Sequence, residues 1–401
     1  MSLLDILSDE RVWIDFYEQK VDPAYFRLAD AKELFRFVRN KRYLPVVDKI
    51  SSGQGLSIPQ KKQIAKADTS KKRIVYSLPE DEAMVLKLLT WLMIRKYNGF
   101  FSDCLYSFRP SYGAKDALKK LLSIPDISEY YSYKLDVRNY FNSIDVQLLL
   151  PILHQLMSDD EPLFRFLSTM LSDPRAIENG KLVEETKGVM AGIPPAVFFA
   201  NVFLTPLDRE FEKMQDLIYC RYSDDIIIFS KDKPRLEDAR KLLHESLEKL
   251  HLGINPDKVV ETLPGQPWTF LGFECDGKDI DVSAVSVAKL KAKMRRKARA
   301  LRRWAESNGK DGWMAARAFI KYFNRKLYTS ESTSEVNWSW WYFPLITTGR
   351  SLKQIDAYMQ DCVRYVATGK RTKARYSFKY EQMKELGMKT LVNQWYKKEL
   401  Q

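Results

Sequence analysis

Residues 217–230 read LIYCRYSDDIIIFS, with two short apolar runs on either side of Tyr222-Ser223-Asp224-Asp225. This is the pattern of a β-hairpin whose tip carries two adjacent carboxylates. Neighbouring acids at a strand turn are costly unless water or a cation compensates their charge. The tetrapeptide alone would also fit an ordinary solvated turn, so a second observation is needed to choose between these interpretations.

A third acid, Asp136, supplies that observation. It is the second-last residue of YYSYKLDV (130–137), whose alternation of side chains predicts a strand. If this strand lies beside the hairpin, Asp136, Asp224 and Asp225 converge at one point. Three hard oxygen donors are what a pair of Mg²⁺ ions needs for phosphoryl transfer. One ion then lowers the pKa of the attacking hydroxyl, and both stabilise the in-line transition state.

The basic residues are concentrated near the C-terminus. The formal net charge is +13, and residues 286–330 contain fourteen Lys or Arg against two acids. A helix is predicted here, with an apolar stripe formed by Leu290, Met294, Ala298, Leu301 and Ala305. Its opposite side can carry Lys289, Lys293, Arg296, Arg299 and Arg303. A solvated face is the alternative, but a packed helix with a basic surface favours binding to a phosphate backbone.

Size and composition exclude several classes of protein. The 401 residues, 45% of them apolar, are enough for two or three packed domains. The first twenty residues lack the features of a secretory signal, and the longest apolar stretch, 196–204, is too short to span a bilayer. The four cysteines form no CxxC pair. We therefore expect a cytoplasmic protein without a disulfide framework, a zinc site or a membrane anchor.

Periodicity and capping signals predict an α+β fold. The predicted helices occupy much of 1–50, then 80–97, 114–122, a segment opening near Asp145, 189–214, 235–250 and most of 286–401. The predicted strands are 73–79, 130–137, 217–222, 226–230 and several short ones within 254–283.

Over roughly residues 65–330 the chain resembles a reverse transcriptase, because a series of motifs follows in the order typical of that family. The motifs are KKRIVYSLP (71–79), LYSFRPSYGAKDAL (105–118), KLDVRNYFNSID (134–145), GVMAGIPPAVFFANVFLTPLD (188–208), RYSDD (221–225), LGINPDKV (252–259) and FLGF (270–273). The second of them is close to a string found in group II intron enzymes. Their combined order and spacing are far more specific than any one motif.

The resemblance implies a role for individual residues. Asp136, Asp224 and Asp225 would be catalytic residues that bind two Mg²⁺ ions, and Lys258 would protonate the leaving pyrophosphate. Arg73, with help from Lys72, would hold the incoming triphosphate, and Gly192 would belong to the same substrate site. Phe141 stands where a bulky aromatic excludes a 2′-hydroxyl, which favours dNTPs, although its neighbour Tyr140 could fill that role. The thumb residues Arg296, Arg299 and Arg303 would contact nucleic acid.

Two departures from the family pattern matter. Ala191 occupies the position where the second palm motif usually carries Gln, so template handling or fidelity is expected to differ. No endonuclease motif follows the thumb. The tail, which contains WSWWYF (338–343), resembles that of the bacterial "unknown group" of reverse transcriptases, related to group II intron and retron enzymes. Members of that group act as defence-associated reverse transcriptases against phage, often with a noncoding RNA. The alternative for this aromatic segment is simple packing.

The predicted architecture is a right-hand polymerase fold with a helical C-terminal extension. We expect an N-terminal helical segment (1–60), fingers (61–125), palm (126–283), thumb helices (284–330) and the extension (331–401). The predicted function is RNA-directed DNA synthesis from dNTPs on an RNA template, in antiviral defence with a noncoding RNA. A retron-like or free-standing intron-derived enzyme, and a non-catalytic RNA-binding protein, are the alternatives. The oligomeric state stays open.

Overall fold

The structure, a computed structural model, describes residues 1–21, 28–65, 72–185, 188–328 and 337–399. It divides into two compact units. Most of residues 1–266 form unit 1, and residues 267–401 form most of unit 2. The division at 266/267 falls ahead of the predicted 283/284 boundary, because the strands of 268–282 pack with the helices that follow them.

Unit 1 combines helices with two sheets. Its helices are α1 (Glu10–Val21), α2 (Leu28–Arg39), α3 (Leu44–Ser51), α4 (Glu80–Lys96), α5 (Ala114–Leu122), α6 (Tyr140–Ser143), α7 (Val146–Leu156), α8 (Glu161–Ser172), α9 (Ala196–Glu212) and α10 (Lys233–Lys249). Its strands are β1 (Gln60–Ala65), β2 (Lys72–Ser77), β3 (Tyr131–Asp136), β4 (Arg175–Glu178), β5 (Lys181–Glu184), β6 (Ile218–Tyr222), β7 (Asp225–Ser230) and β8 (Val260–Thr262).

The sheet that carries the acids has the strand order β6-β7-β3-β8, and all neighbouring strands are antiparallel. Ile226, Ile227, Ile228 and Phe229 of the central strand β7 are buried. Such an unbroken apolar run is typical of a strand covered on both faces. α10 packs on β3 and β7, and α9 packs on β6. The prediction that the 130–137 strand lies beside the hairpin is therefore confirmed.

A second sheet in unit 1 has the order β2-β1-β4-β5. Of its strands only β2 was predicted from the sequence; β1, β4 and β5 were missed, as was helix α8. The β4–β5 hairpin turns at Asn179-Gly180, where both residues have positive φ (52° and 78°). Asn-Gly between short strands is the strongest local signal for such a turn. This hairpin could therefore have been found from the sequence.

Unit 2 begins with a small antiparallel sheet and continues as helices. Its strands are β9 (Trp268–Phe270), β10 (Phe273–Cys275) and β11 (Ile280–Val282). Its helices are α11 (Ala284–Ser307), α12 (Gly312–Tyr328), α13 (Trp338–Tyr342), α14 (Arg350–Thr368), α15 (Tyr380–Glu385) and α16 (Leu391–Glu399). The core lies where α11, α12 and α14 pack together. The predicted apolar stripe of α11 is buried, except that Leu301 is half-buried.

The aromatic segment of α13 packs against the turn between β9 and β10. Gly272 in that turn has φ +87°, and a Cβ there would lie 2.7 Å from the Tyr342 hydroxyl. The Tyr342 ring also contacts Trp338 (4.5 Å between centroids) and Phe273 (5.0 Å). These contacts give the segment a packing role, the alternative kept open from the sequence.

The four cysteines are all free thiols in the structure. Within the described ranges, no helix combines the length and apolar character that a membrane crossing requires.

Candidate active site

The paired acids lie at the tip of the β6–β7 hairpin. Tyr222 and Asp225 are partners across the two strands, so Ser223 and Asp224 form the turn. Ser223 has φ +60°, which places it in the left-handed region, and it is buried. Its N–H donates to the hydroxyl of Ser107 at 2.9 Å. The turn is thus fixed by a contact with a distant motif rather than held only by its own strands.

The third acid faces this tip from the neighbouring strand. Asp136 is paired with Asp225 across β3 and β7, and the Val137 N–H donates to the Asp224 carbonyl at 3.0 Å. Directly opposed residues in an antiparallel pair project from the same face of the sheet, with Cβ atoms about 5 Å apart. Asp136 is only 5% exposed. The fold therefore brings the three predicted acids to adjacent positions at one edge of the sheet.

Burial and mutual repulsion disfavour the charged forms of these acids. Burial raises the pKa of the Asp224 carboxyl above its ordinary value, and the neighbouring Asp136 raises it further. Burial likewise raises the pKa of Asp225 to about 6, with Asp224 and Asp136 acting in the same direction. Like charges held this close need a cation if all are to ionise.

Lys258 supplies part of that positive charge. Its Nζ donates to Asp136 Oδ2 at 2.5 Å, and the Asn255 N–H donates to the Asp136 carbonyl at 2.9 Å. Burial opposes the charged form of Lys258, but the hydrogen bond to Asp136 and the nearby carboxylates outweigh it and raise the lysine pKa. Lys258, which was predicted at this site, therefore lies beside the acids and forms an ion pair with Asp136.

The three carboxylates have the chemistry that a divalent ion requires, but they do not form a complete metal-binding site by themselves. Hard carboxylate oxygens in a partly buried site are what Mg²⁺ takes, together with water and substrate phosphates. Yet among the residues that the structure describes, no three His, Cys, Asp or Glu side chains are placed to hold a metal ion together. The three acids lie at adjacent positions, and Asp136 is also hydrogen-bonded to Lys258.

Several residues that support the hairpin tip were missed from the sequence. Arg221 donates to both carboxylate oxygens of Asp208 in α9, at 2.7 and 2.5 Å, and to the Ser223 carbonyl at 3.2 Å. Both charged side chains are fully buried. Tyr219 donates to the same carboxylate at 2.8 Å. The sequence did contain a signal for this pair. Arg221 lies in RYSDD and Asp208 in LTPLD, and each is next to apolar residues that predict burial.

A second supporting group joins three motifs. The Asn201 amide donates to the Ser107 carbonyl at 2.8 Å, and the Ser107 hydroxyl donates to the Asn201 side-chain oxygen at 3.1 Å. The backbone N–H of Tyr106 donates to the Arg221 carbonyl at 2.9 Å. The chain at 104–107 therefore runs beside β6 and positions the YSDD turn.

Gly192 lies where the loop before α9 meets β2. The Tyr76 N–H donates to the Ala191 carbonyl at 2.8 Å. Gly192 has φ +107°, and a Cβ there would lie 2.6 Å from the Tyr76 carbonyl oxygen. Only glycine permits this approach. The side chain of Asn142 accepts from the Ala191 N–H at 3.1 Å and donates to the Ile74 carbonyl at 3.4 Å, so it connects the loop to β2.

The other predicted substrate residues lie around this junction. Arg73 is an exposed residue of β2, next to Ile74. Lys72 begins the same strand, and its side chain is outside the described residues. Phe141 is half-buried, whereas Tyr140 is 2% exposed and donates its hydroxyl to the Ala200 carbonyl at 2.5 Å. Tyr140 therefore belongs to the core, and Phe141 is the more exposed of the two aromatic residues.

The predicted basic face of α11 is divided in the structure. Arg296 and Arg303 are exposed on the side of the helix opposite the buried stripe. Lys289 and Arg299 are also exposed, although Arg299 lines a cavity beside α14, and Lys293 is half-buried. The five basic residues expected on one surface therefore belong to more than one environment.

Replacing Asp225 by Asn should stabilise the protein when divalent ions are chelated. A carboxyl whose pKa rises from its ordinary value to about 6 on folding stabilises the native state below pH 4 and loses that contribution as the pH rises through 6. Two pKa units correspond to roughly 3 kcal/mol. The variant should therefore melt several degrees above the wild type at pH 7.5, with the gap closing towards pH 4. If the difference in melting temperature did not change with pH, the raised pKa of Asp225 would not be its cause, and this explanation would be contradicted.

Comparison with known proteins places the chain in a family. The family model of the reverse transcriptase (RNA-dependent DNA polymerase) matches residues 59–275, more than half of the chain. This confirms the predicted enzyme class, nucleotidyltransferase, and the α+β right-hand polymerase fold. Reverse transcriptase domains generally depend on divalent metal ions. No curated protein sequence matches the chain.

Solved telomerase structures are similar to this chain at low identity. Apo telomerase from Candida tropicalis truncated from its C-terminal domain has 13% identity and a TM-score of 0.47, covering 59% of this chain and 58% of that one. Another apo structure from C. tropicalis has 11% identity and a TM-score of 0.49, covering 87% and 64%. Telomerase from Candida albicans with a fragment of telomeric RNA has 11% identity and a TM-score of 0.45, covering 88% and 71%. The chain thus spans less than two thirds of the length of the first two. By its family match, the chain belongs to the reverse transcriptase family.

Proposed function

We propose that this chain is an active RNA-directed DNA polymerase that uses two Mg²⁺ ions held by Asp136, Asp224 and Asp225. The supporting observation is the adjacent placement of these acids, with Asp136 opposite Asp225 and Asp224 at the hairpin tip. A protein that only bound RNA would have no use for buried acids facing a polyanion, since they repel phosphate unless a cation intervenes. This argues against a non-catalytic RNA-binding protein.

The remaining residues would have the roles that the resemblance to reverse transcriptases implies. Bound Mg²⁺ would lower the pKa of the primer 3′-hydroxyl and stabilise the charge of the in-line transition state. Arg73 and Lys72 neutralise the incoming triphosphate from β2. Lys258 carries a proton at Nζ beside Asp136 and gives it to the leaving pyrophosphate. Asn142 and Gly192 hold the loop before α9 against β2, which fixes one wall of the nucleotide site.

The direct test is incorporation of labelled dNTPs. With poly(rA) annealed to oligo(dT), the wild-type chain should extend the primer in Mg²⁺ and stop when EDTA is added. Synthesis that persists in excess EDTA would contradict the metal-dependent mechanism.

Phe141→Ala should relax the selection against ribonucleotides. Phe141 is half-buried while Tyr140 is buried, so we propose Phe141 as the ring that meets the sugar, and its removal would open space for a 2′-hydroxyl. We expect the ratio of dNTP to rNTP incorporation to fall by at least about tenfold, since an avoided steric clash of about 1.4 kcal/mol corresponds to that factor. Phe141→Tyr keeps the ring and serves as the matched control. An unchanged ratio in Phe141→Ala would place the sugar gate at another residue.

We infer antiviral defence in bacteria, in the cytoplasm and with a noncoding RNA as template, as the biological setting. The support is the resemblance of the C-terminal extension to the defence-associated "unknown group". A retron-like or intron-derived enzyme would have a different RNA. Sequencing the nucleic acid that co-purifies with the chain, with and without phage infection, distinguishes these settings. One enriched structured RNA together with its cDNA is expected, and a random sample of cellular RNA would contradict the proposal.

On α11, Arg296 and Arg303 are the residues we propose to follow the backbone of the template–product duplex. They are exposed and lie about two helical turns apart on the side away from the core. Such contacts are independent of base sequence and weaken with salt, because each neutralised phosphate releases counterions.

A further inference from the structure

A cavity of about 300 Å³ lies within unit 2, between α11 and α14 and the chain that follows α14. This volume is at the lower end of the range for ligand sites. The residues that matter for its chemistry are Arg295, Arg299, Tyr358, Tyr365, Lys370 and Arg371. The cavity is therefore lined by cations and aromatic rings, and its lining includes none of the acids that carry the proposed catalysis.

The positive charge of this cavity is largely uncompensated. Arg295 and Arg299 are one helical turn apart, and neither forms an ion pair with any acid in the described parts of the chain. The one acid in the lining, Asp361, is engaged by Arg364 and Arg375, each at 3.4 Å. Like charges at this spacing on a helix destabilise it. An anion that enters the cavity would therefore meet two arginines whose charges no described acid compensates.

The aromatic rings give the cavity a second property. Tyr358 and Tyr365 are half-buried in its wall, one above the other on α14. The guanidinium of Arg371 lies 5.3 Å from the centre of the Tyr365 ring. Arg295 and Arg299 line the same cavity as Tyr358. Burial raises the pKa of the Tyr358 hydroxyl, and the charges of the two arginines oppose that rise. Rings beside cations are the elements with which proteins hold unpaired bases and their phosphates.

We propose that this cavity binds a single-stranded segment of nucleic acid, with phosphates on Arg295 and Arg299 and a base against Tyr358 and Tyr365. A duplex fits less well. Its bases are stacked inside the helix, so it cannot place a base in a cavity between two protein helices. The site is separate from the outward face of Arg296 and Arg303, which meets backbone only. The proposal rests on the proposed function in one respect: an active polymerase has RNA or cDNA next to its template–product duplex.

The test measures binding of a labelled 12-nucleotide single-stranded RNA, and of the same RNA in a blunt duplex, by the full chain in EDTA without dNTPs. Arg295→Gln with Arg299→Gln should weaken binding of the single strand about tenfold and lower the log–log salt slope by about 1.4, or 0.7 for each phosphate. Tyr365→Leu should weaken it roughly fivefold or more with the slope unchanged, because stacking is lost but charge is kept. Thermal melting checks that each variant is folded.

The matched control is Arg317→Gln with Lys321→Gln. These residues are also exposed, also one turn apart, and lie on α12 of the same unit. An unchanged affinity in the control, with losses in the cavity variants, supports the site. Equal losses in both pairs would show a general effect of charge and overturn it, as would a cavity variant that loses duplex binding more than single-strand binding. Primer extension by the wild-type chain is measured separately, so failure here leaves the polymerase proposal to its own test.

Discussion

Changing Asp224 and Asp225 to Ala should reduce dNTP incorporation to background while RNA binding persists. Both residues lie at the tip of the β6–β7 hairpin, opposite Asp136, and are two of the three proposed metal ligands. Metal stabilisation of the transition state is worth several kcal/mol, so the rate should fall by roughly 10³-fold or more. RNA binding depends on basic surfaces far along the chain and should be equal or slightly tighter, because negative charge has been removed.

The control for this experiment is a double variant of exposed acids, Asp232→Ala with Asp238→Ala. Asp232 follows the far end of β7 and Asp238 lies in α10. This variant removes the same formal charge from the same region of the sequence and should retain incorporation. Substantial synthesis by the Asp224/Asp225 variant in Mg²⁺ would contradict the proposed mechanism.

Replacing Arg221 by Met should cause the largest loss of stability. The change leaves the Asp208 carboxylate fully buried with its charge unpaired and removes the hydrogen bond to the Ser223 carbonyl. Breaking one side of a buried pair costs about 3–5 kcal/mol. For a unit of this size the melting temperature should fall by on the order of 10 °C. Incorporation should also fall, since the turn that carries Asp224 loses its support.

A double variant separates the two effects. Arg221→Met with Asp208→Leu removes both charges, and apolar replacement of a buried pair is often neutral in stability. We expect most of the melting temperature to return while incorporation stays low, because the Ser223 carbonyl still lacks its donor. If Arg221→Met alone melted within a degree or two of the wild type, the pair would not be the support that its burial indicates.

The sheet of the active site could be predicted from local pattern. The alternation in 130–137 and the apolar runs around the YSDD turn specify strands, and these patterns are enough to place the acids at one edge of a sheet. The β4–β5 hairpin was missed although Asn179-Gly180 marks it. Strand β1 was missed for a different reason. QKKQIA (60–65) shows no apolar alternation, and it forms a strand through its pairing with β2 and β4.

The pairs of side chains that interact could not be predicted from the sequence. Lys258 was placed at the site by its motif, but its hydrogen bond to Asp136 depends on the exact path of the 252–259 loop. The Arg221–Asp208 pair joins α9 to β6, and only packing brings these two elements together. On α11, helical spacing predicted one basic face, yet α14 covers one flank and places Arg299 in a cavity. A helical wheel cannot show which neighbour covers which flank.

The most direct test of template-directed DNA synthesis is single-nucleotide extension by the wild-type chain in Mg²⁺. A labelled DNA primer is annealed to an RNA whose next templating base is known, and each of the four dNTPs is supplied alone. We predict that only the complementary dNTP extends the primer, and that changing the templating base changes which dNTP is used. No extension of a bound primer–template, or extension with all four dNTPs irrespective of the template, would contradict the proposed polymerase activity.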